Sequence, residues 1–176
     1  MKAVIRNSAA GLVAVLLAGP IAVFAEQDEA KERGELAQAM NEAKVPLERG
    51  VAASARQGTP ISAEYEVENG KLQLSVYTMK GDAFSEVIVD HKTGKVAKAE
   101  PITSGEDLTA AKEQKEAMAK AKRSLHAAAV AATKQNKGYR AVSAIPRIED
   151  GHPVATVTLL KGDDWKTVPV KLDSAR

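Results

Sequence analysis

The sequence predicts an α+β protein made of two repeated modules, each a helix packed on an antiparallel β-meander. Three observations support this fold class. Residues 61–90 recur 81 positions later in the chain. The apolar residues of both copies alternate with a period of two, which is typical of half-buried strands. Residues with helical spacing precede each copy, so each meander has a helix to cover it.

The internal repeat contains no gap. Superposing Ile61–Asp90 on Val142–Lys171 gives ten identical pairs in thirty positions. The identities fall on turn residues and alternating apolar positions: Ser62/Ser143, Ala63/Ala144, Glu68/Glu149, Gly70/Gly151, Val76/Val157, Lys80-Gly81-Asp82/Lys161-Gly162-Asp163, Val87/Val168 and Val89/Val170. This selective placement indicates a duplicated structural unit.

Turn residues divide the first copy into strands. Alternation over residues 61–68 predicts a strand, and Asn69-Gly70 predicts a type I′ hairpin turn, which requires positive φ at both central residues. After the turn at residues 80–82, Phe84 to Asp90 forms a third strand. Residues 95–100 form a short fourth strand.

The remaining elements follow from similar signals. Helical spacing predicts an N-terminal helical segment over residues 26–45, which Pro46 interrupts. Ser104 is a candidate cap for one long helix from about Glu106 to Lys134. The second meander ends with a strand over 165–172, and Pro169 places that strand at a sheet edge because proline cannot donate to a ladder.

The N-terminus has the pattern of a secretory signal peptide. Lys2 and Arg6 precede an apolar run, and small residues precede the polar stretch that begins at Glu26. We expect cleavage after Ala25, a periplasmic location and no membrane span in the mature chain. The domains are therefore 1–25 signal peptide, 26–45 helical segment, 46–102 first module, and 103–176 second module with its linking helix.

Charge and composition limit the classes of partner that the sequence predicts. Two of the 25 Lys and Arg residues lie in the signal peptide, so the remaining 23 equal the 23 Asp and Glu residues. A neutral mature chain without basic stretches beside stacking aromatics is not typical of nucleic-acid binding. The absence of cysteine excludes a disulfide framework.

Residues 86–96 (Glu-Val-Ile-Val-Asp-His-Lys-Thr-Gly-Lys-Val), preceded by a hairpin and a helix, resemble the end of a PepSY module. The resemblance covers residues 46–102 and extends to 125–173 through the internal repeat. It implies a cystatin-like helix on an antiparallel sheet, and an exported binding module that inhibits or regulates peptidases. In the second copy Lys171-Leu172-Asp173-Ser174 replaces the Asp-x-x-Thr-Gly-Lys turn.

The Asp90-x-x-Thr93-Gly94 motif also has a physical interpretation. Asp90 can accept hydrogen bonds from the Thr93 and Gly94 amides, and Gly94 can supply the positive φ that closes the hairpin. These three residues are therefore predicted to build a turn rather than to bind a ligand.

Signs of catalysis are lacking. The chain contains no cysteine, no Gly-x-Ser-x-Gly elbow, no His-Glu-x-x-His motif and no phosphate-binding glycine loop. The sequence therefore predicts no enzyme activity and no cofactor. His126 is expected on a helix surface.

The most ligand-like residues lie in two turns. Glu149, Asp150 and His152 lie in one turn, and Asp163 and Asp164 lie in the next. If the two turns met, they would form a weak oxygen-rich cation site. The favoured interpretation is that turns select Asp for backbone reasons.

Two hypotheses about function follow. In the first, the chain is an exported binding or regulatory module that engages another exported protein or peptide, such as a peptidase or sensor, through a sheet face or edge. The candidate edge contains Trp165, Val168 and Val170. In the second, the chain binds a small ligand or cation in a cleft between the modules.

Overall fold

The computed structural model describes residues 22–174, with side chains from Glu29 onward. Most of the predicted signal peptide lies outside the described residues, and the cleavage point after Ala25 falls in the first helix. The elements, in chain order, are α1 (Ala22–Ala39), a 3-10 turn (Met40–Glu42), α2 (Leu47–Ser54), β1 (Thr59–Glu68), β2 (Lys71–Lys80), β3 (Ala83–Val89), β4 (Val96–Ile102), α3 (Gly105–Ala119), α4 (Leu125–Gln135), β5 (Arg140–Glu149), β6 (His152–Lys161) and β7 (Asp164–Lys171).

All seven strands belong to one antiparallel sheet with the order β4-β3-β2-β1-β5-β6-β7. The predicted α+β class is confirmed. Because β1 pairs with β5, the strands of the first half (β1–β4) and those of the second half (β5–β7) lie next to each other in the plane of the sheet. The edge strands are β4 and β7, so the prediction that the last strand lies at a sheet edge is correct.

The seam between β1 and β5 is short. Its register pairs Ala63 with Ala144 and Glu64 with Ser143. Ala63 and Ala144 are also equivalent positions in the sequence repeat. The ladders beside the seam are irregular at Ile61 and at Val142, which are again 81 residues apart.

Other local features recur in both halves, with the two turns and the two acceptor carbonyls 81 residues apart and the donor amides 78 residues apart. Asn69 and Asp150 have φ of 51° and 49°, and each precedes a glycine with positive φ, as the predicted hairpin turns require. In the first half the amides of Lys44 and Val45 donate to the His91 carbonyl. In the second half the amides of Lys122 and Arg123 donate to the Leu172 carbonyl.

The helices cover both faces of the sheet. On one face, alternate strand residues such as Val76, Val87 and Val157 form a single core with α2 and α4. On the other face, Tyr77 and Phe84 pack against Ala111 of α3 in a smaller cluster. The large core contains residues of both halves, so the two meanders share one interior.

The prediction of one long helix over 106–134 is wrong. The chain leaves the helix after Ala119 and re-enters it at Leu125. The break is stabilised by the two hydrogen bonds to the Leu172 carbonyl and by Ser124, whose side chain caps α4 by accepting from the Ala127 amide. Ser104 does precede α3, but its side chain makes no capping hydrogen bond.

Candidate functional site

The open edge of β7 is the strongest candidate for a functional surface. The Leu172 amide donates to the Pro153 carbonyl of β6. Because backbone groups alternate in direction along a strand, the even-numbered residues of β7 point their backbone groups toward β6. The backbone groups of Trp165, Thr167, Pro169 and Lys171 therefore point away from the sheet. These outward-facing groups are called the open edge below.

The equivalent edge in the first half is covered by a strand. In β3 the Asp90 amide donates to the Lys95 carbonyl, so Phe84, Glu86 and Ile88 face β4. These three residues are the repeat counterparts of Trp165, Thr167 and Pro169. Among the described residues up to Ser174, β7 has no such covering strand.

Of the three residues predicted for this edge, one belongs to the open edge and two do not. Trp165 is half-buried against Leu160 and belongs to the open edge. Val168 and Val170 lie opposite Val157 and Ala155 and pack on the large core. The backbone N–H and C=O groups of these two valines point toward β6, so they are not part of the open edge. Thr167 and Lys171 replace them as edge residues.

Each edge strand of the sheet has a proline that removes one exposed backbone donor. Pro169 lies in the outward-facing set of β7, and Pro101 lies in the outward-facing set of β4. A proline at such a position removes a donor from the exposed edge without weakening the sheet, which is a known protection against unwanted pairing. The donors that remain on the open edge are the amides of Trp165, Thr167 and Lys171.

The side chains of β7 include two lysines and one aspartate. Lys166 and Lys171 are exposed, and the Lys166 ammonium donates a hydrogen bond to the side-chain oxygen Oδ1 of Asn136 at 2.5 Å. Asp164 is the acidic residue of the strand, and it accepts a hydrogen bond from the Tyr139 hydroxyl. That bond raises the pKa of Tyr139. The amino groups of Lys161 and Lys166 lie 5.9 and 6.0 Å from the Tyr139 ring centre.

The acidic turn residues do not come together. Asp150 and His152 lie at the start of β6, whereas Asp163 and Asp164 lie beyond its end. A ten-residue strand separates these ends by roughly 30 Å. The proposed meeting of the two turns is therefore wrong, since consecutive hairpins of a meander lie at opposite ends of the shared strand. Within residues 22–174, no group of three or more His, Asp or Glu side chains is placed to hold a metal ion.

The histidines have local roles. His152 contacts Asp173 at 2.7 Å, and this hydrogen bond lowers the pKa of the Asp173 carboxyl. His126 is exposed on α4, as predicted. His91 lies in the turn after β3, and its carbonyl receives the Lys44 and Val45 amides.

The predicted structural turn is present, with one difference in its hydrogen bonds. Gly94 has φ of +76°, as expected. Asp90 Oδ1 accepts from the amides of Lys92 and Thr93 at 2.9 and 2.7 Å. The Gly94 amide instead donates to the Asp90 backbone carbonyl. The two side-chain bonds, with the Thr93 amide as the larger cause, lower the pKa of Asp90.

A polar cluster beneath α3 was not predicted from the sequence. The Ser75 hydroxyl lies 2.6 Å from Glu66 and 3.0 Å from the buried Glu86. The Tyr77 hydroxyl donates to Asp107 at 2.7 Å. Burial first, and then the charges of Glu66, Glu86 and Asp107, raise the pKa of Glu64 to about 7.

The signal for this cluster was visible in β2 and β3. Ser75, Tyr77 and Glu86 alternate with apolar core residues, a pattern that a half-buried strand with one solvent-facing side also shows. Placing them beneath a helix requires knowing that α3 crosses that face. The sequence pattern gives no indication of this crossing.

Where a cleft between the modules was predicted, the sheet is continuous across the seam. Two shallow depressions lie beside the β2–β3 turn instead. One has a volume of about 370 Å³ and is lined by Asp82, Phe84, Lys112, Lys115, Glu116 and Ala119. The other shares Lys115 and borders the loop before β1.

Comparison with known proteins supports the family resemblance for the first half. Residues 35–100 match the family described as Peptidase propeptide and YPEB domain, PepSY. The match supports the PepSY family and includes the end of α1, α2 and most of the β1–β4 meander. No curated protein matches the chain, and no solved structure matches it.

None of the helices between Ala22 and Ser174 combines the length and apolar content that a bilayer crossing requires.

Proposed function

We propose that this chain is an exported, periplasmic, non-catalytic binding protein with two PepSY-like modules. It regulates another exported protein, most directly a peptidase, by pairing the β7 edge with an extended segment of that partner. The observation that carries the proposal is that β4 covers β3, whereas the equivalent strand β7 ends the sheet.

Three further observations support it. The description of the matched family includes peptidase propeptides. A propeptide is a segment that acts on a peptidase by binding to it. The features that recur at a spacing of 81 residues support duplication of one module. The N-terminal sequence, with its charged start and apolar run, supports export.

Pairing at an exposed edge is an established mode of peptide recognition. Main-chain hydrogen bonds supply the affinity and side-chain positions supply the selectivity. The open edge offers the Trp165, Thr167 and Lys171 amides together with the carbonyls of the same residues. This mode requires no nucleophile, metal or cofactor.

A matched pair of proline variants tests the proposal. Thr167→Pro removes an outward-facing amide from β7, and Ala99→Pro removes an outward-facing amide from β4. Both strands already contain an outward-facing proline, so both variants should fold. The assay measures hydrolysis of a fluorogenic peptide by a purified thermolysin-like metallopeptidase with and without the protein.

We expect the wild-type protein and Ala99→Pro to slow hydrolysis equally, and Thr167→Pro to need about tenfold more protein for the same effect, since one backbone hydrogen bond is lost and the added strand is displaced. Equal effects of the two variants would refute the role of β7. Turnover of a substrate by the protein itself, lost on substitution of one carboxylate, would refute the non-catalytic assignment.

A further inference from the structure

The β3–β4 pair defines the geometry that a strand must have to pair with β7. It shows which residues of β4 lie opposite each residue of β3, and the repeat transfers those positions to β7. Phe84 lies opposite Ile102, Glu86 opposite Glu100 and Ile88 opposite Lys98. The corresponding residues of β7 are Trp165, Thr167 and Pro169.

The β3–β4 ladder is irregular at the position that corresponds to the proline. Its register shifts between Ile88 and Val89, where Ala97 is an extra residue on β4. Pro169 is the repeat counterpart of Ile88. The residue that this bulge leaves unpaired is Ala97, whereas Ile88 itself lies opposite Lys98. Pro169 therefore offers only its carbonyl to a strand that pairs in the same register.

The side chains beside this position favour a negatively charged strand. Residues directly opposite one another on antiparallel strands place their side chains on the same face, where opposite charges attract. Lys166 and Lys171 are exposed on β7. The β4 positions that correspond to their partners are Pro101 and Lys95.

We propose that the open edge binds an extended acidic peptide segment of a partner protein, antiparallel to β7 and in the register of β4. This segment has a bulge next to the position opposite Pro169 and carboxylates opposite Lys166 and Lys171. The inference rests on the proposed function and adds the direction, register and charge of the bound segment.

Synthetic peptides and the mature protein provide the test. The first peptide copies residues 94–104 of this chain. The second replaces the residues at the Pro101 and Lys95 positions with Glu, and a third has the composition of the second in scrambled order. Trp165 is the single tryptophan of the sequence, so its fluorescence reports binding at β7 to a peptide without tryptophan.

We expect the acidic peptide to bind about two- to fivefold more tightly than the copy for each added carboxylate, as cross-strand charge pairs predict. Both peptides should slow hydrogen exchange of the Trp165 and Thr167 amides. A nitroxide at the C-terminal end of the acidic peptide should broaden resonances near Asp164, and one at the N-terminal end should broaden those near Lys171. Thr167→Pro should require about tenfold more peptide for the same effects, because one backbone hydrogen bond is lost, and Ala99→Pro should leave them unchanged.

Several results would overturn the inference. The first is tighter binding of the copy or of the scrambled peptide than of the acidic peptide. The second is the reverse nitroxide pattern, and the third is slower hydrogen exchange along β4. The fourth is dimerisation of the protein that Thr167→Pro abolishes, because this would show that a second copy pairs with the open edge. The proposed function is tested separately. Metallopeptidase inhibition that depends on Thr167, without acidic-peptide binding, would refute only this inference. Binding of the acidic peptide in the expected direction and register, without inhibition of the metallopeptidase, would refute only the peptidase role.

Discussion

At Gly94 the backbone has a φ of +76°, a conformation that side chains with a Cβ rarely adopt. The sequence motif was sufficient to predict this angle, because a hairpin that closes in the Asp90-x-x-Thr93-Gly94 pattern needs it. The structure adds that a Cβ at this position would lie 3.0 Å from the flexible Arg49 side chain. Backbone conformation rather than crowding therefore determines the preference for glycine here.

Substitution of Gly94 should reveal this conformational requirement. Gly94→Val should lower the free energy of unfolding by about 1–3 kcal/mol, because a β-branched residue is strained at positive φ. Gly94→Asn should cost less, since asparagine tolerates this region. Chemical denaturation of the three proteins measures the difference. Equal stability of the valine and glycine proteins would contradict the turn assignment.

Glu64 illustrates what the sequence could not indicate at the residue scale. Its alternation with Ala63 and Tyr65 predicts a solvent-facing side chain, but α3 and three neighbouring carboxyl groups change its surroundings. Local periodicity distinguishes the two faces of a strand. It does not tell which elements from distant parts of the chain cover the second face.

The raised pKa of Glu64 makes stability depend on pH. Folding raises the pKa from an ordinary value of 4.5 to about 7, so the folded protein binds the proton more tightly than the unfolded chain. This contribution is fully present below pH 4.5 and is lost as pH rises through 7. Glu64→Gln, which cannot ionise, should flatten this dependence and should exceed the wild type in stability at pH 8 by about 1–3 kcal/mol.

Urea denaturation from pH 4 to pH 8.5 tests this expectation. Glu113→Gln is the matched control, because Glu113 is an exposed carboxylate on the helix that covers Glu64. The control should keep the wild-type pH dependence. The account of Glu64 fails if its glutamine variant does the same.

The strands and the interrupted helix differ in how well the sequence predicts them. Period-two alternation and Asn-Gly or Asp-Gly turns gave the strands of both meanders to within a few residues. The break at residues 120–124 was missed, because its main contacts are to the carbonyl of Leu172, almost 50 residues further along the chain. A helix that ends for a tertiary reason leaves little trace in local spacing.

The N-cap of α4 can be tested at the element scale. Ser124 accepts a hydrogen bond from the Ala127 amide at 3.2 Å. Ser124→Ala should lower the free energy of unfolding by about 0.5–2 kcal/mol, and Ser124→Asp should preserve the cap. Thermal melts of both variants measure the effect. An alanine variant as stable as the aspartate variant would show that the cap does not stabilise the break.

The open edge also belongs to the element scale. Pro169 correctly predicted that the last strand lies at an edge. Val168 and Val170 were predicted to lie on this edge, but their backbone groups point toward β6, because the direction of each backbone group depends on the β6–β7 register. That register becomes known only when one bond, from Leu172 to Pro153, is located.

At the scale of the whole molecule, the two halves share a core although their strands meet only at a short seam. Residues 63 and 144 lie opposite each other in the centre of the sheet, and α2 and α4 pack on the same face above them. The sequence predicted the repeat spacing but not the seam, because nothing in either copy identifies β1 as the strand that pairs with its own counterpart.

A shared core predicts a single unfolding transition. Leu74 lies fully buried in the first half, and Leu74→Ala should cost about 2–5 kcal/mol. The midpoint reported by Trp165 fluorescence, in the second half, should fall together with the midpoint reported by far-UV circular dichroism. A Trp165 transition that stays at the wild-type temperature would show that the halves unfold independently.

The central claim is that the chain acts by binding an extended partner segment along β7. The most direct measurement is amide hydrogen exchange of the mature protein alone and in complex with an inhibited metallopeptidase. The account predicts slower exchange at Trp165, Thr167 and Lys171, with no change along residues 96–102. Protection of the β4 edge or of the α3 surface, with β7 unchanged, would contradict it.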